Sequence, residues 1–481
     1  MLFNSFEFLV FFPIVTMLFF VLPHRARWLL LLLASCLFYM AFIPAYILIL
    51  LFTIVVDYFA GMWIEKARGR KRTACLILSL AANLGVLAVF KYYGFLTENT
   101  SLVLRALGLP HRLPVLDIIL PIGLSFHTFQ AMSYTIEVYR GNQPAERHLG
   151  IYALYVMFFP QLVAGPIERP QNLLPQFRQL KRPQYSRFSS GLAWMLWGMF
   201  KKVVIADPLS RVVNMVYASP HDYAGPILTL GTVFFAIQIY CDFSGYSDIA
   251  VGAARILGFD LMTNFRRPYF ATSIADFWRR WHISLSTWFR DYLYIPLGGS
   301  RVATLRRCLN IMIVFLLSGL WHGATWMFVI WGALHGLYLI VGVLFSRWRT
   351  AIGILPSSEG GGAARRVLQS VSVFVLVLVS WVFFRAKSLG DATYIVSHMF
   401  SWDGFSGQTI WQLGLPRFNM GIVLAAIPLL FLVDYILETG PEIMTTFWAW
   451  RPARWATYVA ALYAIVCFGF FGRVEFIYFQ F

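Results

Sequence analysis

Two histidines stand where an ionisable side chain is unusual, and each could move a proton. His322 lies within residues 308–346, a run that contains no Asp, Glu, Lys or Arg. It follows Arg307 by 15 residues, which is ~22 Å along a straight helix, whereas the hydrocarbon core of a bilayer is ~30 Å thick. An ionisable residue at such a depth is a functional candidate, and an imidazole there can act as a general base.

The neighbours of His322 suit a dry site. Trp321 and Trp326 bracket it, and Gly319 and Gly323 form a GxxxG pattern that allows a helix or a ligand to approach closely. The alternative is a neutral, structural imidazole that forms hydrogen bonds between helices. The residue types alone leave both interpretations open.

The second histidine, His282, lies in the aromatic and basic stretch 276–294. On a single helix of 3.6 residues per turn, the polar side chains fall within roughly a third of the circumference, and aromatic rings, including Trp281, fill the opposite arc. The polar residues are Asp276, Arg279, His282, Ser286 and Arg290. One interpretation is an interfacial helix with its aromatic face in lipid. The other is a site for an anionic, nucleotide-bearing cofactor, since residues 266–307 carry eight arginines and two acids.

The composition places these histidines in a membrane. Apolar residues make up 59% of the 481 residues and charged residues 13%, whereas soluble globular proteins carry roughly 25% charged residues. This composition excludes a disordered chain, a disulfide scaffold and a conventional soluble enzyme. It predicts an all-α, multi-pass membrane protein whose net charge of +17 serves cytoplasmic loops and lipid headgroups. We expect no nucleic-acid partner, because the basic residues stand in short clusters between apolar runs.

The apolar runs predict about eleven transmembrane helices with two or three partial, re-entrant or interfacial helices. Residues 151–166 are too short for a full crossing, residues 227–240 and 246–257 form two separate segments, and residues 308–346 suffice for a two-helix hairpin. The positive-inside rule places the N-terminus outside. One domain, 1–481, is predicted, with N-terminal helices to 147, catalytic core helices over 148–346, a flexible loop over 347–366 and C-terminal helices over 367–481.

Several catalytic motifs are missing from the sequence. The five cysteines show no zinc-type spacing, and we expect no metal. GxSxG, HExxH, Walker and GxGxxG patterns are also missing. The chemistry therefore uses neither a triad nucleophile nor a zincin site nor a phosphate-binding loop.

The sequence around these histidines resembles the membrane-bound O-acyltransferase family, and within it the bacterial branch that contains the alginate O-acetyltransferase membrane subunit. The blocks that carry the resemblance are residues 120–126 with 139–141, 164–169, 242–248, 264–268, 276–299 and 319–323. The combination of Trp-Arg-Arg-Trp-His-Ile-Ser with Leu-Trp-His-Gly about forty residues later is highly specific.

The resemblance implies a ring of tilted helices around a central tunnel, in which a cytoplasmic acyl donor meets an acceptor from the other face. It makes His322 the catalytic base and His282 its polar partner on the donor side. Asn264, Arg279, Trp281 and Arg290 would then bind the thioester and the CoA-type tail of acetyl-CoA, the donor substrate.

The chain ends in an aromatic hexamer with one phenol, Tyr478. An interfacial aromatic belt is one interpretation. The other, from related extracytoplasmic acylation systems, is that Tyr478 enters the tunnel, accepts acetyl with His322 as base and passes it to a secreted or membrane-anchored partner with an SGNH-type esterase fold.

The resulting hypothesis is a bacterial inner-membrane O-acetyltransferase for an extracytoplasmic polysaccharide, alginate or similar, which is reached through that partner. Peptidoglycan is the alternative acceptor. A non-catalytic transporter of an acyl donor or glycan is the alternative from a different class.

Overall fold

The computed structural model describes residues 1–109, 120–352, 362–401, 411, 413–471 and 476–477, and all regular structure within them is helical. In chain order the helices are α1 Phe6–Val21, α2 His24–Met40, α3 Ile47–Lys66, α4 Gly69–Leu87, α5 Tyr93–Ala106, α6 Leu124–Arg140, α7 Leu149–Met157, α8 Phe159–Leu162, α9 Pro170–Arg178, α10 Tyr185–Met199, α11 Asp207–Ala218, α12 Gly225–Ile256, α13 Ile274–Arg280, α14 Ile283–Phe289, α15 Thr304–His322, α16 Trp326–Ala351, α17 Ala363–Arg385, α18 Leu389–His398, α19 Arg417–Thr439, α20 Pro441–Ala449 and α21 Arg451–Phe468.

Seven helical segments of the described chain are long and apolar enough to cross a membrane. They are Pro44–Lys66, Gly69–Ala106, Gly225–Ile256, Thr304–His322, Trp326–Ala351, Ala363–Arg385 and Arg417–Thr439. A shorter apolar helix, α1, precedes them. These segments agree with a multi-pass membrane protein, while the total of about eleven crossings stays a prediction.

The predicted hairpin over residues 308–346 is confirmed as α15 and α16, joined by the short turn 323–325. The predicted division between residues 227–240 and 246–257 is wrong, because α12 runs unbroken through both. Polar residues of α12 between the two predicted segments have buried partners. Lys202 pairs with Asp242 at 2.7 Å, and Lys201 donates to Ser244 at 2.9 Å.

The chain forms two compact units, and the first comprises Met1–Met195 and Tyr246–Thr263. In this unit α3, α4 and α6 pack together. The buried carboxylate of Asp57 on α3 accepts hydrogen bonds from Ser79 at 2.6 Å and Asn83 at 2.9 Å, both on α4. A buried carboxylate needs such donors, so these bonds fix the register of the two helices.

The second unit comprises Leu196–Gly245 and Asn264–Phe481, and it contains both candidate histidines. Helices α15 and α16 of this unit meet backbone to backbone. A Cβ atom added at Gly319 would stand 2.2 Å from the carbonyl oxygen of Phe328, and one at Gly332 would stand 2.2 Å from that of Phe315. This contact confirms the close approach that the GxxxG pattern predicted.

Candidate active site

The stretch predicted as one helix over residues 276–294 is two helices, so that prediction is wrong. Helix α13 ends at Arg280, Trp281 is extended, and α14 begins at Ile283. Between them His282 adopts left-handed backbone angles, φ 42° and ψ 55°. The helical wheel assumed continuity, and the break turns the imidazole of His282 into the protein, where the residue is fully buried.

A short backbone pairing causes this break. The N–H of Arg266 donates to the carbonyl of Arg280, and the N–H of Ile283 donates to the carbonyl of Asn264, both at 2.9 Å. The side-chain oxygen of Asn264 also accepts from the hydroxyl of Ser284 at 2.6 Å. Asn264 is buried, and its hydrogen bonds to Ile283 and Ser284 hold the segment that follows His282.

A fork of charges secures the same segment from its other end. The carboxylate of Glu438 on α19 binds Arg280 and Arg267, each at 2.7 Å. Arg280 also reaches Asp276 at 3.0 Å. Arg267, with φ 45°, is the other non-glycine residue of the described chain in the left-handed region. The fork thus holds one strained residue, Arg267, directly and the other, His282, through Arg280 two positions before it; such conformations cost of order 1–3 kcal/mol each.

His282 is enclosed by aromatic rings. Its ring centroid lies 4.7 Å from that of Phe243 and 5.9 Å from that of Trp321. Burial lowers the pKa of His282 to about 3, because a charged imidazole loses its hydration there. The side chain is therefore neutral near pH 7, and it can offer one N–H donor and one acceptor nitrogen.

His322 is the last residue of α15 and is also buried. Its ring centroid lies 5.0 Å from that of Trp321, 4.9 Å from that of Trp331 and 5.5 Å from that of Phe384. The expected bracket is half correct: Trp321 is buried, whereas Trp326 is 59% exposed. Trp331 and Phe384 complete the aromatic wall in place of Trp326.

The two imidazoles are close neighbours. The ring centroids of His282 and His322 are 6.4 Å apart. One small acyl carbonyl or hydroxyl could contact both rings, since catalytic hydrogen bonds span ~2.6–3.2 Å between heavy atoms. An imidazole can accept a proton, and a neutral imidazole can also donate a hydrogen bond that orients a carbonyl, so this pair behind aromatic walls has the groups that acyl transfer needs.

The other predicted residues fall into two groups. The side chains of Arg279 and Arg290 are exposed, 71% and 59% respectively, and pair with Asp276 and Asp291. Such exposed guanidinium groups remain available to an anionic ligand. Trp281 instead lies in the core, its ring stacked 5.5 Å from Phe277. The structure does not bring Trp281 together with the two arginines.

Tyr478 lies outside the described residues, but Phe476 and Ile477 just before it are described. Both are buried, and the ring centroid of Phe476 lies 5.7 Å from that of Phe243. Phe243 in turn packs against His282, so the described end of the chain is one aromatic ring away from that imidazole.

One charged cluster near this end has no predicted role from the sequence. Lys202 lies between the carboxylates of Asp207 and Asp242, 2.7 Å from an oxygen of each, and all three residues are buried. The other oxygen of Asp242 accepts the backbone N–H of Ile477 at 2.8 Å. The available signal was charge inside apolar runs, which marks an intramembrane residue as a functional candidate.

Within the residues that the structure describes, no group of three or more His, Cys, Asp or Glu side chains is arranged to hold a metal ion.

Comparison with known proteins connects this geometry to a family. The sequence model of the membrane-bound O-acyltransferase family matches residues 147–375, a range that contains both histidines. A protein named "Probable alginate O-acetylase AlgI" from Pseudomonas aeruginosa is 39% identical over 441 residues, which cover 90% of this chain and 80% of that protein.

Two further relatives act on other polymers by name. A "Peptidoglycan O-acetyltransferase" from Helicobacter pylori is 35% identical, over 84% of this chain and 81% of that protein. A "Teichoic acid D-alanyltransferase" from Bacillus subtilis is 26% identical, over 58% of this chain and 71% of that protein. The chain thus belongs to the membrane-bound O-acyltransferase family and is a multi-pass membrane O-acyltransferase.

Proposed function

We propose that the protein transfers acetyl from cytoplasmic acetyl-CoA to an extracytoplasmic polysaccharide, alginate or a similar exopolysaccharide. The observation that carries this proposal is the pair of buried imidazoles, His282 and His322, within one aromatic enclosure next to the described end of the chain. The names of the alginate-acetylating relatives support the acetyl group and the polymer.

His322 is the general base in this proposal. A hydroxyl attacks the thioester carbonyl, its proton passes to the imidazole of His322, and the carbon–sulfur bond breaks to release the CoA thiolate, which takes up a proton. His282 donates a hydrogen bond that orients the carbonyl. Arg279, Arg290 and the Asn264-supported segment face the CoA tail at the cytoplasmic side of a tunnel. General-base activation is typically worth 10²–10⁴ in rate.

The first acceptor in this proposal is the phenol of Tyr478. The acetyl ester on Tyr478 is then attacked by a nucleophile of a separate SGNH-type partner, which delivers acetyl to the polymer and regenerates the phenol. The lack of a hydrolase triad motif in this sequence supports a separate partner. In this proposal the protein lies in the bacterial inner membrane.

The test of the base uses the purified protein in nanodiscs with acetyl-CoA labelled in the acetyl group. We expect His322→Gln to slow loss of label from CoA at least 100-fold, since glutamine cannot accept the proton. His335→Gln is the matched control, because His335 is equally buried, one helix further on, and we expect it to stay within about threefold of the parent.

If His322→Gln transfers acetyl normally and only slows export of a donor, the protein is a transporter and the proposal fails. A companion variant, Tyr478→Phe, removes one hydroxyl. We expect it to abolish hydroxylamine-sensitive acetyl on the protein while CoA binding persists. Unchanged protein-bound acetyl in Tyr478→Phe would disprove the transfer of acetyl through Tyr478, and it would leave the role of His322 as the base unaffected.

The second candidate acceptor is peptidoglycan, which the relative from Helicobacter pylori favours by its name. The two polymers are separated by offering alginate oligomers and peptidoglycan fragments in parallel, each with the corresponding SGNH-type partner. Acetyl transfer to the peptidoglycan fragments alone would replace alginate as the proposed acceptor.

A further inference from the structure

Phe476 and Ile477, at the described end of the chain, are held by two different kinds of contact. Each of them is only 1% exposed. Apolar packing accounts for Phe476, whose ring meets Phe243, while a buried carboxylate holds the backbone of Ile477.

That carboxylate, Asp242, uses its two oxygens for different purposes. One oxygen accepts from the ammonium group of Lys202 at 2.7 Å, and the other accepts from the N–H of Ile477 at 2.8 Å. Lys202 is shared with Asp207 at the same distance. One ammonium group therefore serves two carboxyl groups, and the second oxygen of Asp242 is left for another donor.

A buried carboxylate is costly unless donors reach both of its oxygens. A backbone N–H aimed at a carboxylate forms a charge-assisted hydrogen bond, which is roughly twice as strong as a neutral one. The N–H of Ile477 is such a donor. The hydrogen bond between Asp242 and Ile477 thus stabilises both the charged cluster and the described end of the chain.

An anchor on the backbone also fixes position. Consecutive Cα atoms are 3.80 Å apart across a trans peptide, so a bond at the N–H of Ile477 restricts where the next residue can begin. Phe243, which directly follows Asp242, packs against both Phe476 and His282. The anchor and the wall of the imidazole site are therefore neighbours on the same turn of α12.

We propose that Asp242, held in place by Lys202 and Asp207, is a positioning residue that binds the backbone at Ile477 and thereby fixes where the next residue, Tyr478, begins, beside the aromatic wall of the imidazole pair. The anchoring is independent of the reaction, whereas the presentation of Tyr478 rests on the proposed function. A misplacement of about 1 Å can cost 10²-fold in rate, so loss of the anchor acts on turnover rather than on donor binding.

The anchoring is tested by thiol labelling of Ile477→Cys, which keeps the backbone N–H. The adduct at residue 477 is quantified in nanodiscs by peptide-level mass spectrometry after exposure to a small maleimide. We expect slow labelling in the otherwise unchanged chain and at least tenfold faster labelling when Asp242→Ala is added. Fast labelling without Asp242→Ala, or slow labelling with it, would overturn the anchor.

The positioning is tested without disturbing the charge cluster. Ile477→Pro removes the donor N–H and leaves Asp242, Lys202 and Asp207 intact, so it remains informative even if Asp242→Ala fails to fold. Ile477→Val keeps the N–H and serves as the control. We expect Ile477→Pro to lower kcat for acetyl transfer at least tenfold with KM for acetyl-CoA unchanged within twofold, and Ile477→Val to match the parent.

The outcomes separate the two proposals. Equal kcat in Ile477→Pro and Ile477→Val would overturn the positioning role even if labelling shows the anchor. A rise in KM with kcat unchanged would also overturn it, since a donor-binding defect is not what a displaced acceptor produces. If the parent chain transfers no acetyl at all, the proposed function fails, and the labelling experiment still decides whether Asp242 holds the chain end.

Discussion

At the scale of single residues, His282 combines burial with a left-handed backbone. The left-handed conformation costs a non-glycine residue of order 1–3 kcal/mol, and burial opposes any charge on the ring. Asn264 on one side and the Glu438 fork on the other hold the segment in this state. The imidazole is therefore rigid and neutral, and it is suited to orienting a carbonyl rather than to carrying a proton.

This state predicts a specific pH dependence of stability. The pKa of His282 is about 3 in the folded protein and about 6.5 in an unfolded chain. Below pH 6.5 the unfolded state takes up a proton that the folded state refuses, so stability falls as the pH drops. Asparagine tolerates left-handed angles and does not titrate, so His282→Asn lacks this loss.

The measurement is unfolding in mixed micelles at pH 7 and pH 5. We expect the free energy of unfolding of the parent to fall by about 2 kcal/mol relative to His282→Asn over this range. Other buried groups titrate equally in both proteins and cancel in the difference. Parallel pH profiles for the two proteins would contradict a depressed pKa at His282.

Candidate site residues could be predicted from the sequence where an ionisable residue stood within an apolar run. His322 stood out because a charge-free run surrounds it, and its burial in an aromatic pocket agrees with that expectation. The contact of Asp242 with Ile477 joins residues 235 positions apart. No periodicity or spacing encodes such a pairing, because it depends on the tertiary fold.

At the scale of elements, the α15–α16 hairpin places His322 through backbone contact. Gly319 lies one turn before His322, and its Cα faces the carbonyl of Phe328 on α16. No side chain larger than hydrogen fits there without moving one helix. The position of the imidazole is thus tied to the spacing of the two helices.

Substitution of this glycine is expected to disturb both stability and activity. Gly319→Ala places a methyl group 2.2 Å from a backbone oxygen, and overpacking of this kind costs about 1–3 kcal/mol or more. We expect a lower unfolding temperature and slower acetyl transfer. The control is Gly342→Ala on α16, where an added Cβ meets nothing within 4 Å.

Helix propensity favours alanine over glycine at both positions, so only the steric contact distinguishes the two variants. We expect Gly342→Ala to match or slightly exceed the parent in stability. Differential scanning fluorimetry in detergent and the labelled acetyl-CoA assay report the two effects. Equal behaviour of the two variants would show that the helices can separate freely.

The elements were predictable where hydrophobic runs define them. The charge-free run of residues 308–346 gave the hairpin, since length and composition suffice for that inference. The break at Trp281–His282 escaped the helical wheel, because its cause is pairing with residues 264–266.

At the scale of the whole molecule, two exposed tryptophans allow the length of α16 to be compared with the thickness of a bilayer. Trp326 and Trp348 on α16 are 59% and 56% exposed, and the 22 positions between them correspond to ~33 Å of helix. Tryptophan is enriched at both membrane interfaces, and the hydrocarbon core is ~30 Å thick. Helix α16 therefore has the dimensions of one complete crossing.

The positive-inside rule orients this crossing. Arg347 and Arg349 follow Trp348, and Arg306 and Arg307 lie at the start of α15, so the open end of the hairpin is expected in the cytoplasm. Thr325 in the turn and Arg301 before α15 are both exposed. We expect Thr325→Cys to react with an impermeant maleimide in intact cells.

The matched variant, Arg301→Cys, is expected to react only after the cells are permeabilised. Peptide-level mass spectrometry distinguishes these sites from the native cysteines. Labelling in the reverse order would invert the hairpin and place His322 near the cytoplasmic face. Composition alone identified the chain as a membrane protein. The depth of a particular residue in the bilayer could be estimated only once the ends of its helix were known.

The position of His322 at the Trp326 end of the hairpin has a consequence for energy coupling. In the proposed orientation, an acetyl group that reaches His322 has already passed most of the bilayer, so bond exchange and translocation are a single vectorial event. Acetyl carries no charge, whereas each elementary charge moved across the membrane exchanges about 2.3 kcal/mol with a potential of 100 mV. If the donor is acetyl-CoA as proposed, its polyanionic CoA carrier stays on the cytoplasmic side. When the proton of the acceptor hydroxyl ends on the departing CoA thiolate, no net charge crosses the membrane, and the voltage neither drives nor opposes the export of the acyl group.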